Sequence, residues 1–558
     1  MTTFTEPRTL GDSDSSSVRH GSTTLPPRAT ETLPALLRRR AATHPERRFV
    51  WCGDDRLTYG EADARADRVA SGFRHIGVEP GERVAIITPN RIEMLEMFLG
   101  LARLGAVQVP LNAYLKGQFL QYQLADSQAT ALVCDAAGWR AAEPLLGDLP
   151  QLRTVIHLDP PPGGLDAAGR STVTYGEVTD VDPVELAEPG LDDLLSIVYT
   201  SGTTGLPKGC MLPHGYYARV SLRGVEWQGL TSDDVYMTAL PLFHAAARMS
   251  VVGASLTAGA TAVVEPAFSP SRVLQRARET GATILGGVGA MGVAFLSQPP
   301  APDDREHDLR TIWFVPFTPE QQAETAERFG VALQCELYGQ TECFPLTFNP
   351  SDGPRNHASD GLPAGDLEVK LIDDDGDEVP AGQPGEIVVR PRVRHSMFAG
   401  YWGKPEATLE AFRDLWYHTG DFGRADEQGF IRFVDRKKDT LRRRGENVSS
   451  VELEGAILQH PAVAEVAVHA VPSEVSEDEI KACIVLAAGH DPDPDVLFQH
   501  FKTSLPYYAV PRYVEFLESL PRNAVGRVMK HELRAAGLTA ATVDLERLGL
   551  TISREERR

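Results

Sequence analysis

Apolar positions recur along this chain with two different periods. Residues 62–76 repeat at helical spacing, 83–88 form a short β-rich run, 93–104 return to an apolar helix pattern, and 105–111 are strand-like. The rhythm returns around 256–264, 271–280 and 283–287. Strands alternating with helices predict parallel sheets covered by helices, an α/β fold. From about residue 365 the texture changes. Short runs at 367–372 and 385–390 flank Asp373, Asp374, Asp375 and Gly376, which predicts a small β-rich subdomain built around tight turns.

After Asp435 comes a basic stretch, Arg436-Lys437-Lys438-Asp439, then Arg442-Arg443-Arg444-Gly445. Ser449 to Glu452 then has capping-box spacing and reads as a helix start. A compact α+β segment over about 439–535 closes the chain. The expected organisation is a tail at 1–30, an N-terminal domain at 31–437 with its β-rich part from about 365, and a C-terminal domain at 438–558.

Composition narrows the function. The formal net charge is −22, from 55 basic against 77 acidic residues, which argues against nucleic acid and against an anionic membrane surface as partners. An anionic ligand must then be held by local Lys, Arg and backbone N–H groups. The longest apolar-leaning stretch, 249–264, is interrupted by Ser, Thr and Gly and reads as a buried helix running into a strand, too short for a membrane span. The first 30 residues are rich in Ser, Thr, Pro and charge and lack an apolar segment, so they read as a disordered tail. Six cysteines, none in a Cys-x-x-Cys pair, suggest neither a zinc site nor a redox pair and fit a reducing, cytoplasmic setting.

The strand pattern 196–200 runs into Ser201-Gly202-Thr203-Thr204-Gly205-Leu206-Pro207-Lys208-Gly209. Glycines let backbone N–H groups approach a polyphosphate, Ser and Thr donate hydrogen bonds, and Lys supplies charge. It is not a Walker A loop, because Pro207 stands where that pattern has Gly before Lys. A Gly-x-Gly-x-x-Gly match at Gly287, Gly289 and Gly292 is weak on its own. The acid expected about twenty residues on is poorly placed, and the segment reads instead as a lining that leaves room for substrate.

Tyr199-Thr200-Ser201-Gly202-Thr203-Thr204-Gly205-Leu206-Pro207-Lys208-Gly209 resembles the phosphate loop of the adenylate-forming superfamily, which includes acyl-CoA synthetases, luciferase-like enzymes and peptide-synthetase adenylation domains. Further signatures follow in the family's order: Pro241-Leu242-Phe243-His244, Tyr338-Gly339-Gln340-Thr341-Glu342, Tyr417-His418-Thr419-Gly420-Asp421, Asp435-Arg436-Lys437-Lys438-Asp439, Arg444-Gly445-Glu446-Asn447 and Pro521-Arg522-Asn523. The resemblance covers about 30–540, and residues 442–452 look most like the crotonobetaine/carnitine-CoA ligase branch.

The resemblance implies ATP, Mg²⁺ and CoA as co-substrates and cofactor, and a small-molecule acid, or another small acceptor, as partner. It implies that Glu342 and Thr200 hold Mg²⁺, and that Thr200, Ser201, Gly202, Thr203, Thr204, Lys208 and Thr341 hold phosphates. Tyr338 would lie beside adenine, Asp421 would accept from the ribose hydroxyls, and Arg436 would add a ribose or phosphate contact. His244 would gate or line the acid pocket; a structural histidine is the other reading. Lys438 would be the hinge of a mobile C-terminal domain that serves two half-reactions in turn. Arg248 could meet a second acidic group of the substrate or be an ion-pair partner within the fold. Monomer and homodimer both stay open.

Two positions depart from the pattern. The family's C-terminal motif ends in Gly-Lys, but here Gly526 is followed by Arg527, with Lys530 three residues on. Arg keeps the charge but not the shape, so Arg527 and Lys530 compete for the lysine's work. At 314–319, Phe-Val-Pro-Phe-Thr-Pro replaces the usual Gly-Gly-Ala-Pro type of adenine loop. The first expectation is an acid–CoA ligase working through acyl-AMP. The second keeps adenylation but changes the acceptor, as in nitrite activation for diazotising an aryl amine in secondary metabolism. The third is a degenerate nucleotide-binding protein.

Overall fold

The computed structural model describes residues 29–160, 169–200, 206–436, 441–443, 446–448, 450–472, 478–505, 509–522 and 528–552. Expectations placed on residues 1–28, on Ser201, Gly202, Thr203 and Thr204, on Lys438, Arg444, Ser449 and on Arg527 fall outside them; of Arg436 the backbone is described.

The helical pattern near residue 62 becomes the helix Tyr59–His75. Thr58 starts it with a capping box: its hydroxyl accepts from the Glu61 N–H at 3.2 Å, and Glu61 Oε2 accepts from the Thr58 N–H at 2.7 Å. The next helix, Ile92–Leu104, is buried all round from Met94 onward, as its apolar sequence requires of a helix covered on every side. Gly105 ends it with φ 76°, a conformation that favours glycine. The two helices cross closely, since a Cβ on Gly100 would stand 2.5 Å from the Val69 side chain.

Two seven-stranded sheets carry the N-terminal part. One has the order Ala332–Leu333, Thr311–Val315, Ile284–Val288, Val235–Thr238, Thr261–Val264, Arg48–Cys52, Asp55–Thr58. The other runs Ser171–Thr174, Thr154–His157, Ala131–Cys134, Arg83–Ile87, Val107–Leu111, Leu194–Thr200, Lys208–Pro213. All pairings are parallel except one edge pair in each sheet. The buried Val and Ile runs of Arg83–Ile87 and Thr261–Val264 are what a sheet covered on both faces selects. The largest apolar cluster draws on both sheets and the helices Tyr59–His75, Ile92–Leu104 and His214–Gln228.

The β-rich part is antiparallel, with Leu367–Ile372, Pro384–Pro391, Trp416–Ala425 and Ile431–Arg436 paired in succession. At the C-terminal end, Val463–Pro472, Asp478–Leu486, Tyr513–Phe516 and Val543–Asp544 form a separate sheet with its own apolar cluster and the helices Ser450–Ile457 and Pro494–Ser504. The α/β reading with a small α+β C-terminal unit therefore holds. The stretch 249–264 is a helix running into a strand, as expected, although its first part, Ala247–Gly253, winds as a π-helix. Among the described residues no helix is long and apolar enough to cross a membrane.

His214 opens the helix His214–Gln228 and is fully buried, and neither ring nitrogen has a partner among the described residues. Burial pulls its imidazole down to about 4, against about 6.5 in an unfolded chain. Between those values the unfolded state binds the extra proton, so stability is full above about pH 6.5 and declines as pH falls toward 4. The shift corresponds to about 3 kcal/mol. His214→Leu is expected to flatten this acid limb in melting temperatures measured from pH 7 to 4; an unchanged limb would contradict the assignment.

Candidate functional site

The site is built at the ends of strands. Leu194–Thr200 and Lys208–Pro213 pair antiparallel with Thr200 opposite Lys208, and the Thr200 hydroxyl donates to the Lys208 carbonyl at 3.4 Å. Both ends of the phosphate-loop sequence are thus held side by side. The segment 399–402 then adds to the outer edge of Lys208–Pro213. Ala399 N donates to Met211 O at 2.8 Å, Met211 N to Gly400 O at 2.9 Å, and Trp402 N to Gly209 O at 2.8 Å.

That edge pairing sets Tyr401 between the two charged groups. Lys208 Nζ lies 4.9 Å from the centre of its ring, a cation–π contact. Its hydroxyl donates to Glu342 Oε1 at 2.9 Å. Thr341 and Glu342 form the two-residue tip of the hairpin between Leu337–Gln340 and Cys343–Phe348, where Gln340 faces Cys343. Tyr216 grips this tip: its hydroxyl donates to Thr341 O at 3.0 Å and accepts from Phe344 N at 2.8 Å. Glu342 is 7% exposed. Burial pushes its carboxyl above the usual range, and the charge of Asp421 adds to this.

Asp421 lies on Trp416–Ala425, opposite Arg436 in the ladder with Ile431–Arg436. Its Oδ2 accepts from the Tyr338 hydroxyl and from Gln340 Nε2, both at 2.7 Å. Gln340 Oε1 in turn accepts from the Tyr417 hydroxyl at 2.9 Å. One face of Tyr338 stacks on Phe433, with ring centres 5.8 Å apart and planes 22° apart. The structure therefore brings Thr200, Lys208, Thr341, Glu342, Tyr338, Asp421 and the Arg436 backbone into one hydrogen-bonded neighbourhood. Sequence reading missed Tyr401 and Tyr216. The only signal for Tyr401 was its place in the aromatic run Phe398-Ala399-Gly400-Tyr401-Trp402.

His244 stands outside that network among the described residues. Its main-chain N–H donates to Pro241 O at 3.0 Å and its ring lies 4.6 Å from Phe243. The residue is exposed, yet protein surrounds the ring closely enough that desolvation, with the nearby charge of Arg248, pulls the imidazole below its usual range. Lys530 is committed elsewhere: Nζ reaches Ser450 Oγ at 2.6 Å and Glu454 Oε1 at 2.7 Å, within the C-terminal unit. Asp435 Oδ2 accepts from Ser450 N and Oγ at 2.6 and 2.8 Å, so Asp435 satisfies the first N–H of this helix.

The glycines at 287–292 correct an expectation. A Cβ on Gly287 would meet Met291 and Phe314 at 3.0 Å, one on Gly289 the Pro316 carbonyl at 2.3 Å, and one on Gly292 the Phe317 ring at 2.4 Å. The room they leave is filled by the protein's own 314–317 segment and Met291, not left for substrate.

Among the described residues no cluster of three or more His, Cys, Asp or Glu could cage a metal. Glu342 is instead a single buried carboxylate, close enough to Asp421 to feel its charge, and Tyr401 links it to Lys208. One or two carboxylates plus substrate phosphates is how Mg²⁺ is usually held, so the residues fit that ion.

The family model described as AMP-binding enzyme matches residues 37–402, and that of the AMP-binding enzyme C-terminal domain matches 452–527. The chain belongs to this adenylate-forming family of AMP-forming ligases. A feruloyl-CoA synthase of Amycolatopsis sp is 36% identical over 89% of this chain and 97% of its own length. A crotonobetaine/carnitine–CoA ligase of Shigella flexneri is 34% identical over 86% and 93%. Among solved structures, the anthranilate CoA ligase AuaEII in complex with anthranoyl-AMP aligns with TM-score 0.79 and 27% identity over 91% of this chain and 97% of that one. ATP-bound MatB from Rhodopseudomonas palustris aligns with TM-score 0.79 and 29% identity over 91% and 99%.

Proposed function

We propose that the chain is an ATP-dependent acid–CoA ligase. A carboxylate oxygen attacks the α-phosphorus of ATP, the bond to pyrophosphate breaks, and acyl-AMP forms. The CoA thiolate then attacks the acyl carbon and AMP leaves. The observation that carries this reading is the placing of Lys208, Tyr401 and Glu342 at the mouth of one strand pair, beside Asp421.

In this reading Lys208 and the 200–208 segment hold the phosphates, and Thr341 borders them. Glu342, with the Thr200 hydroxyl, would hold Mg²⁺, and the ion would supply positive charge beside the phosphates. Asp421 accepts from the ribose while Tyr338 and Gln340 fix its orientation. Tyr338 borders adenine with the face not stacked on Phe433, Arg436 adds its contact from across the ladder, and His244 lines the acid pocket. The residues from Lys438 onward form the swinging domain. All of these groups come from one chain, so a homodimer would not be needed to complete the site. Six free, buried cysteines support the cytoplasm as its compartment.

Asp421→Asn would keep the volume but halve the acceptor capacity that Tyr338, Gln340 and a ribose share. The KM for ATP is expected to rise about 10- to 30-fold with a smaller change in kcat, read by steady-state pyrophosphate release. A KM within twofold of the parent's would remove Asp421 from nucleotide binding.

The ligase reading is tested by incubating the protein with ATP, Mg²⁺, CoA and a panel of aliphatic, aryl, amino-substituted and hydroxycinnamic acids. A CoA thioester separated by chromatography, with AMP formed in equal amount, is expected. AMP without thioester from any acid would overturn the second half-reaction. A nitrite-plus-aryl-amine arm that gave an ATP-dependent diazonium product would replace CoA as acceptor.

A further inference from the structure

Arg248 sits on the π-helical turn Ala247–Gly253 and is 1% exposed. Its side chain donates one long hydrogen bond, 3.4 Å from Nη1 to Gln108 Oε1, and the neighbouring Tyr217 hydroxyl partly favours its charge. Nε and Nη2 are buried without partners among the described residues. The guanidinium lies 5.6 Å from the Phe98 ring and 5.5 Å from the Tyr217 ring, and no ion pair reaches it among the described residues.

The fold treats its other buried arginines differently. Arg103 pairs with Asp63 and, at 2.7 Å, with Asp67. Arg223 pairs with Asp366 at 2.7 Å; Arg219 also leaves Nε and Nη2 without hydrogen bonds among the described residues, but the same carboxylate, at 3.4 Å, gives it the counter-ion that Arg248 lacks among them. Stripping a guanidinium of water without a counter-ion is unfavourable, and two cation–π contacts recover only part of the loss. Burial accordingly draws the Arg248 group below its ordinary range. Ser250, two residues on, also has a buried hydroxyl without a partner among the described residues.

The position bears on substrate. Arg248 follows His244 by four residues, and its charge acts on that imidazole. Gln108, which it touches, is in register with Ser196 on Leu194–Thr200. Ser196 Oγ is 2.8 Å from the Tyr217 hydroxyl. Along that strand the phosphate-binding end at Thr200 is four residues further, about 13 Å at the usual rise.

We propose that Arg248 recognises a second anionic group on the acid, so that the substrate class is a dicarboxylic acid or an acid bearing an equivalent anion several bonds from its reacting carboxylate. The inference rests on the acid-activating reading above. A planar guanidinium with two unused donor nitrogens is suited to grip a carboxylate in two places. An acid with one charge would leave the group as it is, buried and uncompensated, so charge on the far end of the substrate becomes a selectivity filter.

The test compares α,ω-dicarboxylic acids of four to ten carbons and benzene dicarboxylic acids with their monomethyl esters, scored as kcat/KM for pyrophosphate release. The parent protein is expected to favour a diacid over its ester, and Arg248→Met to lower that ratio about 100-fold, with Arg248→Lys between them. An unchanged ratio in Arg248→Met, or equal loss on both members of a pair, would overturn the proposal. Where the methionine variant does not fold, Arg248→Gln takes its place. If no acid of either kind releases pyrophosphate, the ligase reading fails. Arg248 is then judged by melting temperature: a rise with diacid that Arg248→Met abolishes supports the anion site, and no rise in the parent overturns it.

Discussion

Glu342→Gln is expected to lower pyrophosphate release about 10³-fold, the loss of a charge-stabilising group at the reacting phosphates, while slightly raising the melting temperature of the ligand-free protein. The opposite signs follow from one feature. Glu342 is a buried carboxylate whose described contact at Oε1 is the Tyr401 hydroxyl, not a cation. Glutamine keeps the volume and can still accept that hydrogen bond, but carries no charge to desolvate. Removing a buried, unneutralised charge is worth about 1 kcal/mol here, or about 1–3 °C in a chain of this size. In Mg²⁺ and ATP the ranking should invert, because binding stabilises the parent and not the variant. Calorimetry with and without Mg·ATP reads the stability half, and a coupled pyrophosphate assay reads the activity half. A variant that is both destabilised and active would remove Glu342 from the metal site.

The second large effect separates Arg527 from Lys530. Arg527→Ala is expected to lower acid adenylation by about 10²- to 10³-fold, as loss of one preorganised charge at the α-phosphate does. Lys530→Ala is expected to change adenylation less than about 10-fold and to cost stability instead, by about 2–3 kcal/mol for leaving Glu454 buried without its cation. The difference comes from Lys530 Nζ, which is held by Ser450 Oγ at 2.6 Å and Glu454 Oε1 at 2.7 Å. Both partners lie on the helix Ser450–Ile457 of the same unit. A rotation of the whole unit would therefore not release the ammonium. Single-turnover formation of acyl-AMP, paired with melting curves for both variants, reads the contrast. Large loss of adenylation in Lys530→Ala with an intact melting curve would reverse the assignment.

Much of the site was legible because its residues lie in short contiguous runs. Tyr338, Gln340, Thr341 and Glu342 come from one hairpin, and Thr419 to Asp421 from one strand, so linear order already encodes proximity. The parallel sheets were legible for a similar reason, since strand and helix periods alternate locally. Tyr401 was not legible. It reaches Lys208 and Glu342 only because 399–402 pairs with Lys208–Pro213, nearly two hundred residues earlier, and no periodicity reports an edge pairing of that separation. The glycines at 287–292 misled for the converse reason. A glycine marks close approach, but the sequence does not say whether a ligand or the protein's own ring approaches. The setting of Arg248 was equally invisible, because both of its readings begin from the same buried cation and only the lack of a carboxylate partner among the described residues separates them.

The central claim is that this chain moves AMP from ATP onto an acid by way of the groups around Glu342. Acid-dependent exchange of labelled pyrophosphate into ATP, with Mg²⁺ and without CoA, measures that step alone. Exchange that requires both Mg²⁺ and an acid, and that falls about 10³-fold in Glu342→Gln, is the predicted result. Exchange with no acid tested, or exchange that the Glu342 variant leaves intact, would contradict it.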